Sequence, residues 1–210
     1  MKVKFISISL LLLVTVGGLN AQGKLDEEDR FLSRVRQLTI EGRRSGEGYF
    51  SEDGKNIIFQ SEREAGNPFY QIYNMSLETG DVNRVSPGTG KTTCAFFRPG
   101  TQEVLFASSH SDPEAVKKQK SELEFRASGK TRRYSWDYDE RINIYTATRE
   151  GKDLKRLTTA LGYDAEGAYS PDGSKVVFCS IRDAYGREDF TDKEKVKLKY
   201  DLSYFGEIYI

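Results

Sequence analysis

The residue types that most often carry chemistry are scarce in this chain. His110 is its single histidine, and it sits among Ser109, Ser111 and Asp112. A Ser-His-Asp triad would have to use it, yet no Gly-x-Ser-x-Gly elbow occurs to present a nucleophile, and His110 reads as an exposed loop residue. Cys94 and Cys179, far apart and with one histidine between them, are too few ligands for a zinc site. The run Pro87-Gly88-Thr89-Gly90-Lys91-Thr92-Thr93 has the look of a phosphate-binding loop. That motif needs glycine five residues before Gly90, where Val85 stands, and a helix afterwards, where Cys94–Phe97 reads as a strand. Asp53, Asp172 and Asp183 belong to no dense acidic loop of calcium-binding spacing, and they read as turn formers. Asn74-Met75-Ser76 fits a glycosylation acceptor but falls inside a strand pattern. The expectation is a chain with no catalytic residue, no cofactor and no metal.

Composition and the amino terminus narrow the partners. The 210 residues carry 32 Lys+Arg against 32 Asp+Glu and a mean hydropathy of −0.61. Zero net charge is unlike a nucleic-acid-binding domain. Met1–Ala21 reads as a secretory signal: Lys2 and Lys4, the apolar run Phe5–Val16, then small residues before a cut at Gln22. An apolar run of about 12 residues is too short for a membrane span, which needs roughly 20, so export without stable membrane insertion is expected, to the periplasm or beyond. Loss of Lys2 and Lys4 leaves a net charge of −2. Export permits a disulfide, but Cys94 and Cys179 both lie in strand-like runs and read as two buried free thiols.

The elements that would position any site come from an internal repeat. Gly48-Tyr-Phe-Ser-Glu-Asp-Gly54 followed by Lys55–Ser61 aligns with Gly167-Ala-Tyr-Ser-Pro-Asp-Gly173 followed by Ser174–Ser180. Ala95-Phe-Phe-Arg-Pro-Gly100 followed by Gln102–Ser108 aligns with both. A second signature follows each, Gln71-Ile-Tyr73, Asn143-Ile-Tyr145 and Glu207-Ile-Tyr209. A third recurs as Arg36-Gln-Leu-Thr39, Asn83-Arg-Val-Ser86 and Lys155-Arg-Leu-Thr158. Asp53-Gly54 and Asp172-Gly173 supply the turn residues that join one short strand to the next. The runs at 57–59, 104–106 and 176–178 are apolar, as strands buried on both faces must be. The unit is a four-stranded antiparallel meander, with strands a and b around the turn, c at Ile-Tyr and d at Arg-Leu-Thr. Ser51 and Arg98 are 47 residues apart, near the roughly 40–45 of a propeller blade. The predicted fold class is all-β, a β-propeller of four-stranded antiparallel blades with a short helical insertion.

Aromatic-Ser-Pro-Asp-Gly, a strand, Ser-x-Arg-Asp, Glu-Ile-Tyr and Arg-Leu-Thr together resemble the TolB-like β-propeller repeat. Ser170–Gly173, Ser180–Asp183 and Glu207–Tyr209 carry the match, and the first unit repeats it with Ser51–Gly54 and Ser61–Arg63. The middle unit departs, with Arg98-Pro99-Gly100 and Ser108-Ser109-His110, so its turn is expected to differ in type. The resemblance covers residues 34–210, after a linker at 22–33. It implies either an envelope scaffold of the Tol system or an accessory propeller ahead of a secreted peptidase, of the zinc aminopeptidase or prolyl-oligopeptidase-like kind, whose catalytic domain would lie beyond residue 210.

Blades one and two read as complete, blade three ends inside strand c, and Arg34–Thr39 reads as a lone d strand ahead of blade one. Since closed propellers typically have four to eight blades, the chain reads as the start of a longer propeller, with a short form closing by oligomerisation as the alternative. Two insertions, 109–141 and 183–206, occupy the b–c connection of neighbouring blades and should rise from one face. The first opens with the helix-start signal Ser111-Asp112-Pro113-Glu114, and Val116, Leu123 and Phe125 are expected to face the blade. Then come Arg132, Arg133, Tyr134, Trp136 and Tyr138, of the types that dominate binding hot spots. The second insertion has a similar mix, with Phe190, Asp192–Lys195 and Tyr200–Phe205. The Arg132–Tyr138 residues are the candidate surface for a protein or peptide partner, and Trp136 with Tyr138 would also suit a stacking platform. The same mix would also suit two loops that simply pack on each other and on the rim.

Overall fold

A computed structural model describes residues 31–133 and 135–210; the signal-like segment and most of the linker lie outside them. The chain divides into two units, 1–38 and 39–210. In the first, the described residues carry neither helix nor strand. The d strand expected at Arg34–Thr39 is therefore corrected to coil. A d strand takes its form from a backbone ladder to a c strand, and among the described residues no ladder includes this segment.

The second unit is built from antiparallel meanders. Blade one is β1 (Ser45–Phe50), β2 (Asn56–Ser61), β3 (Gln71–Ser76) and β4 (Val82–Arg84), hydrogen-bonded in that order. Blade two is β5 (Thr92–Phe97), β6 (Glu103–Ser108), β7 (Asn143–Thr148) and β8 (Lys155–Arg156). Blade three has β9 (Ala165–Tyr169), β10 (Val176–Ser180) and β11 (Glu207–Tyr209). Two four-stranded sheets and one of three strands thus form the antiparallel blades of a β-propeller.

Alternation along β6 fixes how the blades stack. Val104 and Phe106 join Ile58, Ile72 and Val85 of blade one in one apolar core, while Leu105 and Ala107 join Tyr163, Ala165 and Phe178 of blade three in another. Successive strand residues point to opposite faces, so a single central strand seals two interfaces. Val177 of β10 points the other way and is exposed. Gly167 of β9 lets blade three close on blade two, because a Cβ there would lie 2.4 Å from Leu105 Cδ2.

The a–b turns share a side-chain scaffold. Ser51 Oγ donates to Asp53 Oδ1 (2.6 Å), which accepts the Lys55 amide (3.0 Å). Ser170, Asp172 and Ser174 repeat the arrangement, and these bonds hold the Asp172 carboxyl down at about 2. Gly54 and Gly173 close their turns at φ +67°. In blade two the same bond runs from Thr101 N to Arg98 O, but Gly100 carries the positive φ one position earlier in the turn.

The Ser-x-Arg signature is a clip between strands b and c. Arg63 Nε donates to Ser61 Oγ (3.1 Å) and its guanidinium lies 5.1 Å from the Tyr73 ring centre. Arg182 does the same with Ser180 (3.1 Å) and Tyr209 (4.7 Å). In blade two His110 takes this place, its Nδ1 3.0 Å from Ser108 Oγ and its ring 4.2 Å from Tyr145. His110 is thus half-buried in a packing role, which corrects the exposed loop residue read from sequence. The thiols of Cys94 and Cys179 are free, Cys94 buried and Cys179 half-buried. Asn74 of the glycosylation-like triplet is buried within β3.

Two outcomes follow. Phe106→Ala would empty a fully buried position at the blade-one interface and should cost about 3–5 kcal/mol, read as a lowered denaturation midpoint; a cost under about 1 kcal/mol would mean that the blades do not stack through β6. Burial, and then Arg156, hold the His110 imidazole below its ordinary pKa. Its stabilisation is therefore present above about pH 6.5 and lost as pH falls through the depressed value. His110→Arg should keep or raise the melting temperature and remove that acid loss; unfolding, or an unchanged acid profile, would refute the clip.

Candidate functional site

The insertions leave from the same rung of neighbouring blades. The first, 109–142, holds α1 (Ala115–Ala127). The second, 181–206, holds α2 (Asp183–Gly186), α3 (Asp192–Tyr200) and a 3-10 turn at Leu202–Phe205. In blade one the equivalent link is the short stretch 62–70.

The face α1 turns inward is polar. Ala115, Lys118, Gln119, Glu122 and Arg126 follow helical spacing, and Ala115 and Glu122 are its buried residues. Gln119 Oε1 accepts the Gly90 amide (2.8 Å) and its Nε2 donates to Gly66 O (3.3 Å). Arg126 bridges Glu122 (2.7 Å), Glu62 (3.1 Å) and the Pro68 carbonyl (2.9 Å). Val116 and Leu123, expected to face the blade, point outward instead, Val116 being 66 % exposed, and Phe125 is half-buried. The correction has a physical cause: the blade-one link and the loop at 87–91 offer this helix carbonyls, an amide and a carboxylate.

A five-member ion cluster pins the far end of the insertion. Asp139 takes Lys91 (2.8 Å) and Lys118 (2.9 Å), and also accepts the Arg141 amide (3.1 Å). Lys118 pairs with Asp112 as well (2.8 Å), and Lys91 with Asp137 (2.7 Å). Burial would raise the Asp139 carboxyl, but Lys91 and then Lys118 outweigh it and hold the carboxyl below its usual range. The loop that carries Lys91 has its backbone engaged too, since Gly90 O accepts from Asn67 and Gln71. Its likeness to a phosphate loop ends there.

The second insertion is anchored by apolar contacts. Phe205 is buried, Phe190 meets it at 5.6 Å, and Leu198 and Leu202 pack on the core between blades two and three. Thr191 and Glu194 form a reciprocal capping box that starts α3.

Between the insertions lies a cleft of about 1130 Å³. Phe125, Arg132, Trp136, Tyr138, Lys199 and Tyr200 line it. Trp136 and Tyr138 both meet the buried ring of Tyr163 nearly at right angles, at 6.4 and 5.4 Å. Trp136 remains 43 % exposed and Tyr200 73 %. Arg132 pairs with Glu122 (2.7 Å) and lies over the Phe125 ring (4.6 Å). Of the five residues singled out from sequence, Arg132, Trp136 and Tyr138 line the cleft; Arg133 is exposed outside its lining, and Tyr134 lies outside the described residues. Asp53, Gly54, Asp172 and Gly173 sit in the a–b turns, away from it.

Sequence reading missed the ion cluster of Lys91, Lys118 and Asp139, and it placed Tyr200 in the second insertion without recognising the helix α3 that carries it. The Thr191-x-x-Glu194 box was available as a helix signal, and Lys118, Glu122 and Arg126 at four-residue intervals were available as a stripe. Among the described residues no group of three His, Cys, Asp or Glu is placed to hold a metal ion, and no helix is long and apolar enough to cross a membrane.

The depressed Asp139 value means the cluster contributes stability that is fully present above a carboxylate's unfolded value of about 4 and is lost as pH falls below it. Hydrogen-exchange protection at 115–127 should therefore drop below about pH 4 ahead of β6 and β7, and Asp139→Asn should produce that loss at neutral pH. Equal losses across α1 and blade two would show that the cluster does not hold the insertion.

No family model matches the chain. Among solved structures, it is similar to a protein designated TolB from Agrobacterium tumefaciens at 21 % identity and a TM-score of 0.48, over 68 % of this chain and 40 % of that one. TolB from Acinetobacter baumannii aligns at 23 % identity and 0.44, over 69 % and 27 %. A prolyl endopeptidase aligns at 16 % and 0.42, over 65 % and 18 %. The chain thus spans well under half the length of each of these proteins.

Proposed function

We propose that this chain is an exported, non-catalytic propeller scaffold that takes a protein or peptide partner in the cleft between its two insertions. The observation that carries this reading is the cleft itself: about 1130 Å³, open, with Trp136, Tyr138 and Tyr200 on walls tied to the blades by the Asp139 ion pairs and the Phe205 contacts. Walls held by ion pairs on one side and a buried phenylalanine on the other lose little freedom on binding, which is how preorganised sites gain affinity. Large aromatic side chains beside Arg132 are the composition of a binding hot spot. Lys117–Glu114 and Lys91–Asp137 place both signs of charge along the rim, which suits a polypeptide better than a uniformly charged polymer. Export rests on the basic, apolar and small-residue order of Met1–Ala21.

Trp136 is the sole tryptophan of the chain, so its fluorescence reports on the cleft directly. Peptides selected on the protein from a random displayed library should shift that emission. Their affinity, followed by calorimetry, should fall about 30-fold with Trp136→Ala, the equivalent of about 2 kcal/mol, and similarly with Tyr200→Ala. Val116→Ala, on the outward face of α1, should leave it unchanged. Selected peptides indifferent to both cleft substitutions would place recognition elsewhere and end this reading.

A further inference from the structure

A second candidate site lies on the a strands β1, β5 and β9 and adjoins the insertion cleft. Each inner strand bulges at one residue, between Gly46 and Tyr49 in β1, Thr93 and Phe96 in β5, and Ala165 and Ala168 in β9. At each bulge one residue other than glycine adopts positive φ: Glu47 (+48°), Cys94 (+53°) and Glu166 (+58°). Non-glycine residues seldom adopt this conformation, and its repeated use re-aims a side chain at the cost of backbone strain. Three blades spend that strain on the same position, and the three side chains line one cavity of about 300 Å³. Its wall is aromatic, with Tyr49 and Phe96 at 5.5 Å between ring centres.

The Tyr163 hydroxyl, in a residue 1 % exposed, has the Trp136 side chain beside it but makes no hydrogen bond of good geometry. Tyr163 lines a neighbouring cavity of about 280 Å³ that shares Glu47 with the first and Trp136 with the insertion cleft. The cations on its wall, Arg44 and Lys91, are already paired with Glu62 and with Asp137 and Asp139. A buried hydroxyl without a partner is costly unless a ligand group satisfies it.

We propose that this double cavity binds a guanidinium group, such as the arginine side chain of a peptide. Two carboxylates brought from different strands match the forked donors of a guanidinium, and aromatic faces stack on its plane. A hard divalent cation would demand more oxygen ligands than are gathered here, and among the described residues none of the clusters of three His, Cys, Asp or Glu needed for a metal ion occurs. Burial and the neighbouring Glu47 both raise the Glu166 pKa, so a cation between the two carboxylates would relieve a repulsion already present. The tyrosine hydroxyl can accept a further N–H.

N-acetyl-arginine amide, titrated into the whole chain and followed by amide chemical shifts, is the direct test, with N-acetyl-citrulline amide as its uncharged isostere. Shifts centred on residues 47, 94 and 166 with the arginine probe, at least tenfold weaker binding with citrulline, and at least tenfold weaker binding in both Glu47→Gln and Glu166→Gln are expected. Both variants keep the size of the side chain, and unchanged melting temperatures establish that they fold. Equal binding of the citrulline probe, shifts confined to other residues, or full affinity in either folded variant would overturn the proposal. Displacement of the probe by calcium at an equal concentration would make the site a metal site and overturn it too.

Discussion

A sheet whose two faces are both apolar has to be covered on both sides, and the rest of this structure follows from that requirement. Leu105 and Phe106, adjacent in sequence and both fully buried, serve different interfaces. Burying one such side chain contributes roughly 1.5–3 kcal/mol, so β6 alone ties blade two to both neighbours. Stacking in this manner leaves the b–c connections of successive blades side by side. The insertions of blades two and three come together because the blades do.

Attachment of the insertions uses two different kinds of physics. The second is held as a core is held, by Phe190, Phe205, Leu198 and Leu202. The first is held by directional bonds among Lys91, Lys118, Asp139, Glu122 and Arg126. Buried ion pairs add little net stability over an apolar equivalent, since desolvation offsets attraction, but they tolerate few alternative geometries. The wall that carries Trp136 is thereby fixed in position more than it is strengthened.

Much of the scaffold was legible in the sequence because its signals are local. Ser51-Glu-Asp-Gly54 closes a turn with bonds that never leave six residues, and the Ile-Tyr strand pairs with the strand just before it. Contacts made at distance were not legible. A helix is normally oriented by its apolar residues, and Val116 and Leu123 misled because the surface beneath α1 is polar. His110 looked free because its role depends on Tyr145, 35 positions later. Arg36–Thr39 carries the strand signature without forming a strand, since the ladder that makes it one comes from elsewhere in a blade. The cleft was visible in composition, as the Arg132–Tyr138 aromatic run and the similar mix around Tyr200, while the helix that sets Tyr200 opposite that run lay behind a capping box that went unread.

Strands β2 and β3 pair over six rungs, from Asn56 with Ser76 to Ser61 with Gln71, and β6 and β7 pair over six rungs, from Glu103 with Thr148 to Ser108 with Asn143. One pair is joined by the short link 62–70 and the other by the whole of 109–142. The ladder is indifferent to the cargo spliced into it, because the ring–cation or ring–imidazole clip behind Ser61 and Ser108 closes the hairpin before the connection departs. Segments of very different length can therefore be grafted, lengthened or trimmed at that point with the register unchanged. Such a blade is a socket in which recognition can be rewritten by evolution, or by an engineer, without renegotiating the fold.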